Sequence, residues 1–273
     1  MYMRLKNGKR KVLTLSYDDG VIQDARLIKI LNEYGIKGTF HVNSCVYIPG
    51  NEKKFSKRMT LSEAKELYMN SGHELAAHGL THPFLDQLKS DEVVYEVMED
   101  RKILEREFQT VVRGMSYPYG TYNDEVVDIL KKCGIRYCRT TKSTEDFKFP
   151  TEWLTLHPTC HHKNPRLMEL AEKFVAGNLR RESENRMFYL WGHSYEFDND
   201  NNWDVIEEFA KYVGGRDDVW YATNIEIYDY VKAYENLQTS VDEKIVHNPS
   251  AIDVWVYMNG QTYAVKAGET IYL

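Results

Sequence analysis

The chain has 273 residues, of which 42% are hydrophobic and 28% charged, and carries a formal net charge of −6 at pH 7. That is globular composition with enough length for a large core. It excludes a basic nucleic-acid binder, and no stretch approaches the roughly 20 apolar residues of a membrane span. Met1–Lys6 lacks the apolar core of a secretion signal, so the chain as written reads as cytoplasmic; one trimmed of a leader for the cell surface would read the same. Cys45, Cys133, Cys138 and Cys160 form no CxxC pair and lie in or beside apolar runs, the pattern of buried free thiols. The 20 Tyr and five Trp serve packing first, although aromatic faces also suit sugar rings.

Short apolar strands alternate with amphipathic helices as far as residue 237. Val12–Tyr17 reads as a buried strand, and Asp24 opens a helix carrying Leu27, Ile28, Ile30 and Leu31 and stopped by Gly35. Gly38–Asn43 is a second strand. Thr60-Leu61-Ser62-Glu63 is a capping box at the head of the next helix, and His73–His78 is a third strand. Ser90 to Phe108 is a long helix, Val111 to Tyr117 a strand, Asn123 to Gly134 a helix and Ile135 to Arg139 a strand. The stretch from Thr140 to Lys163 is less regular, with a short strand expected at Trp153–Leu156. A helix follows Asn164-Pro165, then the strand Met187–Trp191, a helix from Trp203 to Val213, the strand Val219–Thr223 and a helix from Ile225 to Leu237.

Seven or eight β-then-α units predict an α/β fold with a parallel sheet. Closure into a barrel would gather the reactive loops at the C-terminal ends of the strands; an open doubly wound sheet is the alternative, although no phosphate-binding glycine loop supports a nucleotide site. Residues 238–273 break the rhythm. Val254–Tyr257 and Thr262–Val265 flank Asn259-Gly260, the signature of a type I′ hairpin. The chain therefore divides into a domain over 1–237 and a small β appendage over 238–273 of roughly three strands, too short to stand alone.

Two motifs carry the chemistry. Tyr17-Asp18-Asp19-Gly20 ends the first strand, and His78-Gly79-Leu80-Thr81-His82-Pro83 follows the third. One carboxylate and two histidines four apart make a three-ligand set for a catalytic divalent metal with a position left open for water, and the spare aspartate is a candidate base. Neighbouring strand residues face opposite sides, so both carboxylates share a cleft only if the chain turns at the strand end, where Gly20 frees the backbone. An Asp-Asp-Gly turn with solvated carboxylates is the competing reading.

With these motifs in place the chain resembles the polysaccharide deacetylases, the NodB-homology domain of carbohydrate esterase family four. Leu15–Gly20 is similar to the family's T-F-D-D-G, and His78–Pro83 to its H-[ST]-x-x-H-P, with Gly79 where Ser or Thr is usual. Ser116-Tyr117-Pro118-Tyr119-Gly120 matches R-x-P-[FY]-G except at the arginine, and Leu190-Trp191-Gly192-His193 resembles the late leucine–histidine motif. The resemblance spans residues 11 to 237. It implies a distorted (β/α)7-type barrel in which Asp19, His78 and His82 bind one divalent ion, Zn2+ first, with Co2+, Ni2+ or Mn2+ as substitutes. It further implies Asp18 as general base, His193 as general acid and the Tyr119 backbone N–H as an oxyanion donor.

Two departures stand out. The family arginine that orients the catalytic aspartate falls at Ser116, and Arg139, ending its strand, is the candidate replacement, with a surface arginine as the alternative. The fourth motif, whose aspartate supports the acid histidine, is blurred; Glu152-Trp153 and His157–His162 are nearest to it. Tyr117, Pro118, Trp153, His162, Trp191 and Tyr195 are candidate substrate contacts; Trp153 competes with a core role, and the His161-His162 pair is a candidate contact to substrate or metal, competing with plain polar surface. Glu196 flanks His193, and Asp198 is a candidate to orient it. The expected activity is removal of an acyl group, acetyl first, from an N-acylated amino sugar. The alternatives are a C–N hydrolase of the same fold acting on a non-sugar amide or cyclic imide, and an inactive carbohydrate-binding relative. The partners expected are a carbohydrate or small acyl-amide substrate and no nucleic acid; the oligomeric state is not legible.

Overall fold

The structure is a computed structural model of the chain, described for residues 1–51, 58–177, 179 and 181–273. Its centre is β2 (Lys11–Asp18), whose eight residues are all buried, as befits a strand covered on both faces. In chain order the parallel strands continue as β3 (Gly38–Val42), β4 (Glu74–Ala77), β5 (Gly114–Ser116), β6 (Tyr137–Arg139), β7 (Cys160–His161), β8 (Arg186–Gly192) and β9 (Val219–Tyr221). They hydrogen-bond in the order β6-β5-β4-β3-β2-β8-β7, with β9 attached to β2. β9 pairs with Lys11–Leu13 and β3 with Leu15–Asp18 of β2. The result is a curled parallel half-barrel of seven strands in one path, with β9 as an eighth strand beside β2, and it is α/β as the alternation of elements predicts.

The connecting helices are α1 (Asp24–Glu33), α2 (Leu61–Met69), α3 (Ser90–Phe108), α4 (Asp124–Lys132), α5 (Leu167–Ala176), α6 (Tyr195–Asn199), α7 (Asp204–Val213) and α8 (Asn224–Glu235). α1 buries Leu27, Ile28, Ile30 and Leu31, the apolar face read from its spacing. The capping box at Thr60 forms as expected: the Glu63 carboxylate accepts the Thr60 N–H at 2.8 Å, and Thr60 Oγ1 accepts the Glu63 N–H. The four cysteines are buried and free. Among the described residues no helix is long and apolar enough to cross a membrane.

Two local expectations fail. Trp153–Leu156 is not a strand: Trp153–Thr155 forms a single 3-10 turn capped by Glu152, whose carboxylate accepts the Leu154 N–H at 2.9 Å, and only Leu156 makes a bridge, to Arg139. The β appendage is larger than roughly three strands and recruits the other end of the chain. β1 (Tyr2–Arg4), which the sequence reading missed, pairs antiparallel with β12 (Val254–Met258), itself paired with β13 (Gln261–Val265). A second three-stranded sheet joins β10 (Gln238–Thr239), β11 (Ile245–His247) and β14 (Thr270–Tyr272). Asn259 (φ 49°) and Gly260 (φ 84°) are both left-handed, as a type I′ turn requires.

Candidate active site

The site begins where β2 stops. The turn that brings both carboxylates to one side is made by Asp19 itself, at φ 86°, followed by Gly20 at φ 63°. Gly20 is also needed for space, since a Cβ there would lie 2.9 Å from Val42 Cγ1. Asp18 Oδ2 and Asp19 Oδ1 then stand 3.7 and 4.0 Å from His78 Nε2.

His78 leaves the end of β4 in a loop pinned by buried polar groups. Asp100 on α3 accepts the N–H groups of His78 (3.0 Å) and Ser44 (2.9 Å). The Asn43 amide donates to the carbonyls of His78 (2.6 Å) and Gly79 (2.8 Å), and Glu96 accepts from the N–H (2.8 Å) and hydroxyl (2.7 Å) of Thr81. Gly79 (φ 75°) and His82 (φ 61°) are left-handed, so an irregular turn rather than a helical one aims the two rings together.

His78 Nδ1 lies 2.9 Å from the Ser116 carbonyl, which can only accept, so Nδ1 carries the proton and Nε2 presents a lone pair. The Ser116 hydroxyl, 2.7 Å from the same nitrogen, is free to accept because its own proton goes to Asp18 Oδ1 at 3.2 Å. His82 Nε2 is 3.1 Å from His78 Nε2 and 3.9 Å from Asp19 Oδ1. Asp19 Oδ1 is buried with no hydrogen-bond donor, although Arg58 Nη2 lies 3.1 Å away. Two imidazole nitrogens and a carboxylate oxygen left without a donor fit a divalent ion. Burial lowers both histidines, His82 to about 4, which keeps the rings neutral as ligands must be.

Arg139 reaches this rim from the end of β6. Fully buried, it pairs through Nη2 with Asp18 Oδ2, donates to the Thr140 carbonyl at 3.3 Å and lies 4.2 Å above the Trp191 ring. Burial pushes the Asp18 carboxyl up, but Arg139 and then His78 and His41 outweigh it and hold Asp18 well below the usual carboxylate range. His193 follows β8. Burial works against its charge, yet the hydrogen bond to Glu196 and the charges of Asp18 and Asp19 raise it above an ordinary imidazole.

Several candidates lie elsewhere. Trp153 is in the core, edge-on to Tyr228, and Tyr117 is buried with its hydroxyl on the Leu154 carbonyl at 2.8 Å. Neither faces the cleft as a substrate contact would, because each ring is spent on packing. Asp198 does not orient His193: it accepts from Trp203 Nε1 (2.7 Å) and Gln23 Nε2 (2.8 Å). Pro118 is buried, 3.3 Å from where a Cβ on Gly79 would stand. Tyr119 (φ 58°) is 54% exposed, stacked on Phe84 at 3.9 Å and edge-on to His82 at 4.5 Å. Trp191 and Tyr195 flank His193 at ring distances of 5.8 and 5.2 Å. His162 is buried, stacked on Phe197 at 4.2 Å.

Gly192 makes room for His162, since a Cβ there would run into the imidazole at Nδ1. Gly192→Ala is therefore expected to cost about 1–3 kcal/mol by overpacking and to lower Tm by several degrees, as thermal unfolding will read.

Sequence reasoning missed His41, Asp100, Glu96 and Arg58. His41 pairs in register with Asp18 and is kept neutral by burial, which takes it down to about 3. A histidine inside the apolar run Gly38–Val42 was the available signal. Glu96 and Asp100 sit among Val93, Val97, Ile103 and Leu104 on the buried face of α3, and acids at core positions of a helix call for partners.

Residues 5–138 match the family model described as polysaccharide deacetylase. A peptidoglycan-N-acetylglucosamine deacetylase of Listeria monocytogenes is 24% identical over 54% of this chain and 28% of its own length. A chitooligosaccharide deacetylase of Bradyrhizobium is 28% identical over 53% of this chain and 62% of its own. The chain thus spans less than two thirds of the length of each of these curated relatives. Among solved structures, a Mycobacterium smegmatis protein provisionally assigned to the polysaccharide deacetylases superposes with a TM-score of 0.60 at 16% identity, over 86% of this chain and 95% of the other. The Xyl-CE4 domain of a multidomain xylanase from the Trinervitermes trinervoides hindgut metagenome gives 0.53 at 16% identity, over 82% and 92%. Both show the fold.

Proposed function

We propose, from the match of residues 5–138 to the polysaccharide deacetylase family, that this chain is a metal-dependent amide hydrolase removing an acyl group, acetyl first, from an N-acylated amino sugar. Asp19, His78 and His82 would hold the ion, zinc first, which when bound supplies Lewis acidity to the amide carbonyl and to the attacking water. Asp18 stands beside that group without belonging to it, ionised against Arg139 and available to take a proton from the water. An amide nitrogen leaves poorly as an anion, so His193, which holds its proton to higher pH than a free imidazole, gives that proton to the departing amine. The Tyr119 N–H is the proposed donor to the developing oxyanion. The Tyr119–Phe84 stack at the rim offers an exposed aromatic face to a sugar ring.

The observation that carries this reading is the separation of roles: two neutral histidines grouped with one aspartate and, 3.7 Å from the His78 ring, a buried ionised carboxylate. Metal analysis of the purified protein together with amine release from N-acetylglucosamine oligomers tests it, with bound metal and release expected. Metal without release would favour a non-sugar amide or cyclic imide; neither would favour a binding module. The proposed partition keeps residues 238–273 as an appendage to this domain.

A further inference from the structure

A second convergence of histidines lies behind His193. Glu196 stands three residues on, in the short α6, and its Oε2 is 3.2 Å from His193 Nδ1, 3.1 Å from His161 Nε2 and 3.5 Å from His162 Nε2, while Oε1 is 3.0 Å from Lys163 Nζ. The same Oε2 accepts the His193 backbone N–H at 3.2 Å. The ligand atoms of His161, His162 and Glu196 fall within 4.8 Å of one another, as do those of Asp19, His78 and His82. By distance alone both groups could hold a metal.

The tautomers separate them. His78 Nδ1 faces a carbonyl, which leaves Nε2 a lone pair for a cation. In His161 the order is reversed. The Lys163 backbone N–H, which can only donate, points at Nδ1 from 3.1 Å, so the lone pair is on Nδ1 and the proton on Nε2, aimed at Glu196. A cation between them would have to displace that proton and break the Lys163 contact. His193 Nδ1 in turn faces a carboxylate, which can only accept, so Nδ1 is protonated and Nε2 is the atom left for proton exchange.

We propose that Glu196 is the positioning residue of His193, fixing its ring and tautomer from three residues away, and that His161 and Lys163 orient Glu196 rather than helping it hold a second metal. In this chain the support that the resemblance assigns to a distant fourth-motif aspartate comes from α6, the helix that follows the acid itself. The proposal rests on His193 being the proton donor of the deacetylase reading. The charged or titratable groups facing His193 are Glu196 and Tyr195 from α6, Asp18 and Asp19 from the end of β2, and His161 and His162 from β7 and the residue after it. Of these, Glu196 is the one whose hydrogen bond to the ring is made by an adjacent turn.

The test uses zinc-loaded, histidine-15N-labelled protein and the variants Glu196→Gln and Glu196→Ala. Long-range 15N–1H spectra should show His193 protonated at Nδ1 in the wild type and a mixed tautomer in Glu196→Ala. Glu196→Gln can still accept from Nδ1 but lacks the charge, so the alkaline limb of its kcat profile should move down by about one pH unit, with kcat about 10–100-fold lower and KM unchanged. All three proteins should bind one zinc. An unaltered tautomer in Glu196→Ala, an unmoved alkaline limb in Glu196→Gln, or a second zinc lost with Glu196 would each overturn the proposal. If the wild type releases no amine, the substrate reading fails, while the tautomer and zinc measurements still decide the role of Glu196.

Discussion

Arg139→Ala should nearly abolish turnover while leaving the metal bound. Arg139 is fully buried, and its guanidinium is the main counter-charge of a carboxylate that is itself almost inaccessible. Removing one partner of a buried ion pair costs about 3–5 kcal/mol, because the other charge is left without compensation. Asp18 would escape that penalty by taking up a proton, and a protonated Asp18 is no base. The sign of the pH effect follows. A carboxyl held below its unfolded value contributes stability at pH above about 4, and that contribution is lost as pH falls toward the folded value. The Tm gap between wild type and Arg139→Ala should therefore be widest near neutrality and narrow in acid. Arg139→Lys restores a charge but not the fork of donors, nor the flat face lying on Trp191, so a partial recovery of kcat is expected. Thermal unfolding across pH, metal content and kcat measured on the same preparations check this. Wild-type turnover in Arg139→Ala would remove Arg139 from the mechanism.

Asp19→Asn should separate the metal from the fold. Asparagine tolerates the left-handed backbone at φ 86° better than most residues, so the turn at the end of β2 is retained. The anionic ligand is not. Outer-sphere changes at metal sites commonly cost 10–100-fold in affinity, and loss of a direct charged ligand should cost about 100-fold or more. Added zinc raises the Tm of a protein that binds it in the folded state; the wild type should show that rise, and Asp19→Asn should need far higher zinc to show it. Equal zinc dependence in the two proteins would mean that Asp19 is no ligand.

The fold and the grouping of Asp19, His78 and His82 were legible for the same reason: both follow from short-range patterns. Val12–Tyr17, Gly38–Val42 and Met187–Trp191 announce buried strands by composition alone, and Asp18-Asp19 and His78/His82 fall at strand ends where a parallel barrel collects its loops. What depends on tertiary distance was harder to see. Arg139 could be named from its place at a strand end, but a surface arginine remained the alternative, because its pairing with Asp18 spans a curled sheet on which β3, β4 and β5 lie between β2 and β6. Choosing between Asp198 and Glu196 required the direction of one turn of helix, and Trp203 and Gln23 had already engaged Asp198. β1 was invisible because Tyr2–Arg4 is a three-residue strand whose partner stands at the opposite end of the chain.

Asp19, His82 and Tyr119 all hold left-handed backbones at the rim, where side chains other than glycine lose roughly 1–2 kcal/mol each. At each of these positions glycine would relieve the strain and so favour the folded state, while deleting a carboxylate, an imidazole or an aromatic face. Selection for thermal resistance alone would therefore pull this cleft toward glycine and silence it, with the barrel intact and more robust than before. A lineage released from selection on chemistry has that route open at three places. Laboratory evolution of this scaffold needs a catalytic screen beside every stability screen, since at these three residues the two pressures oppose one another.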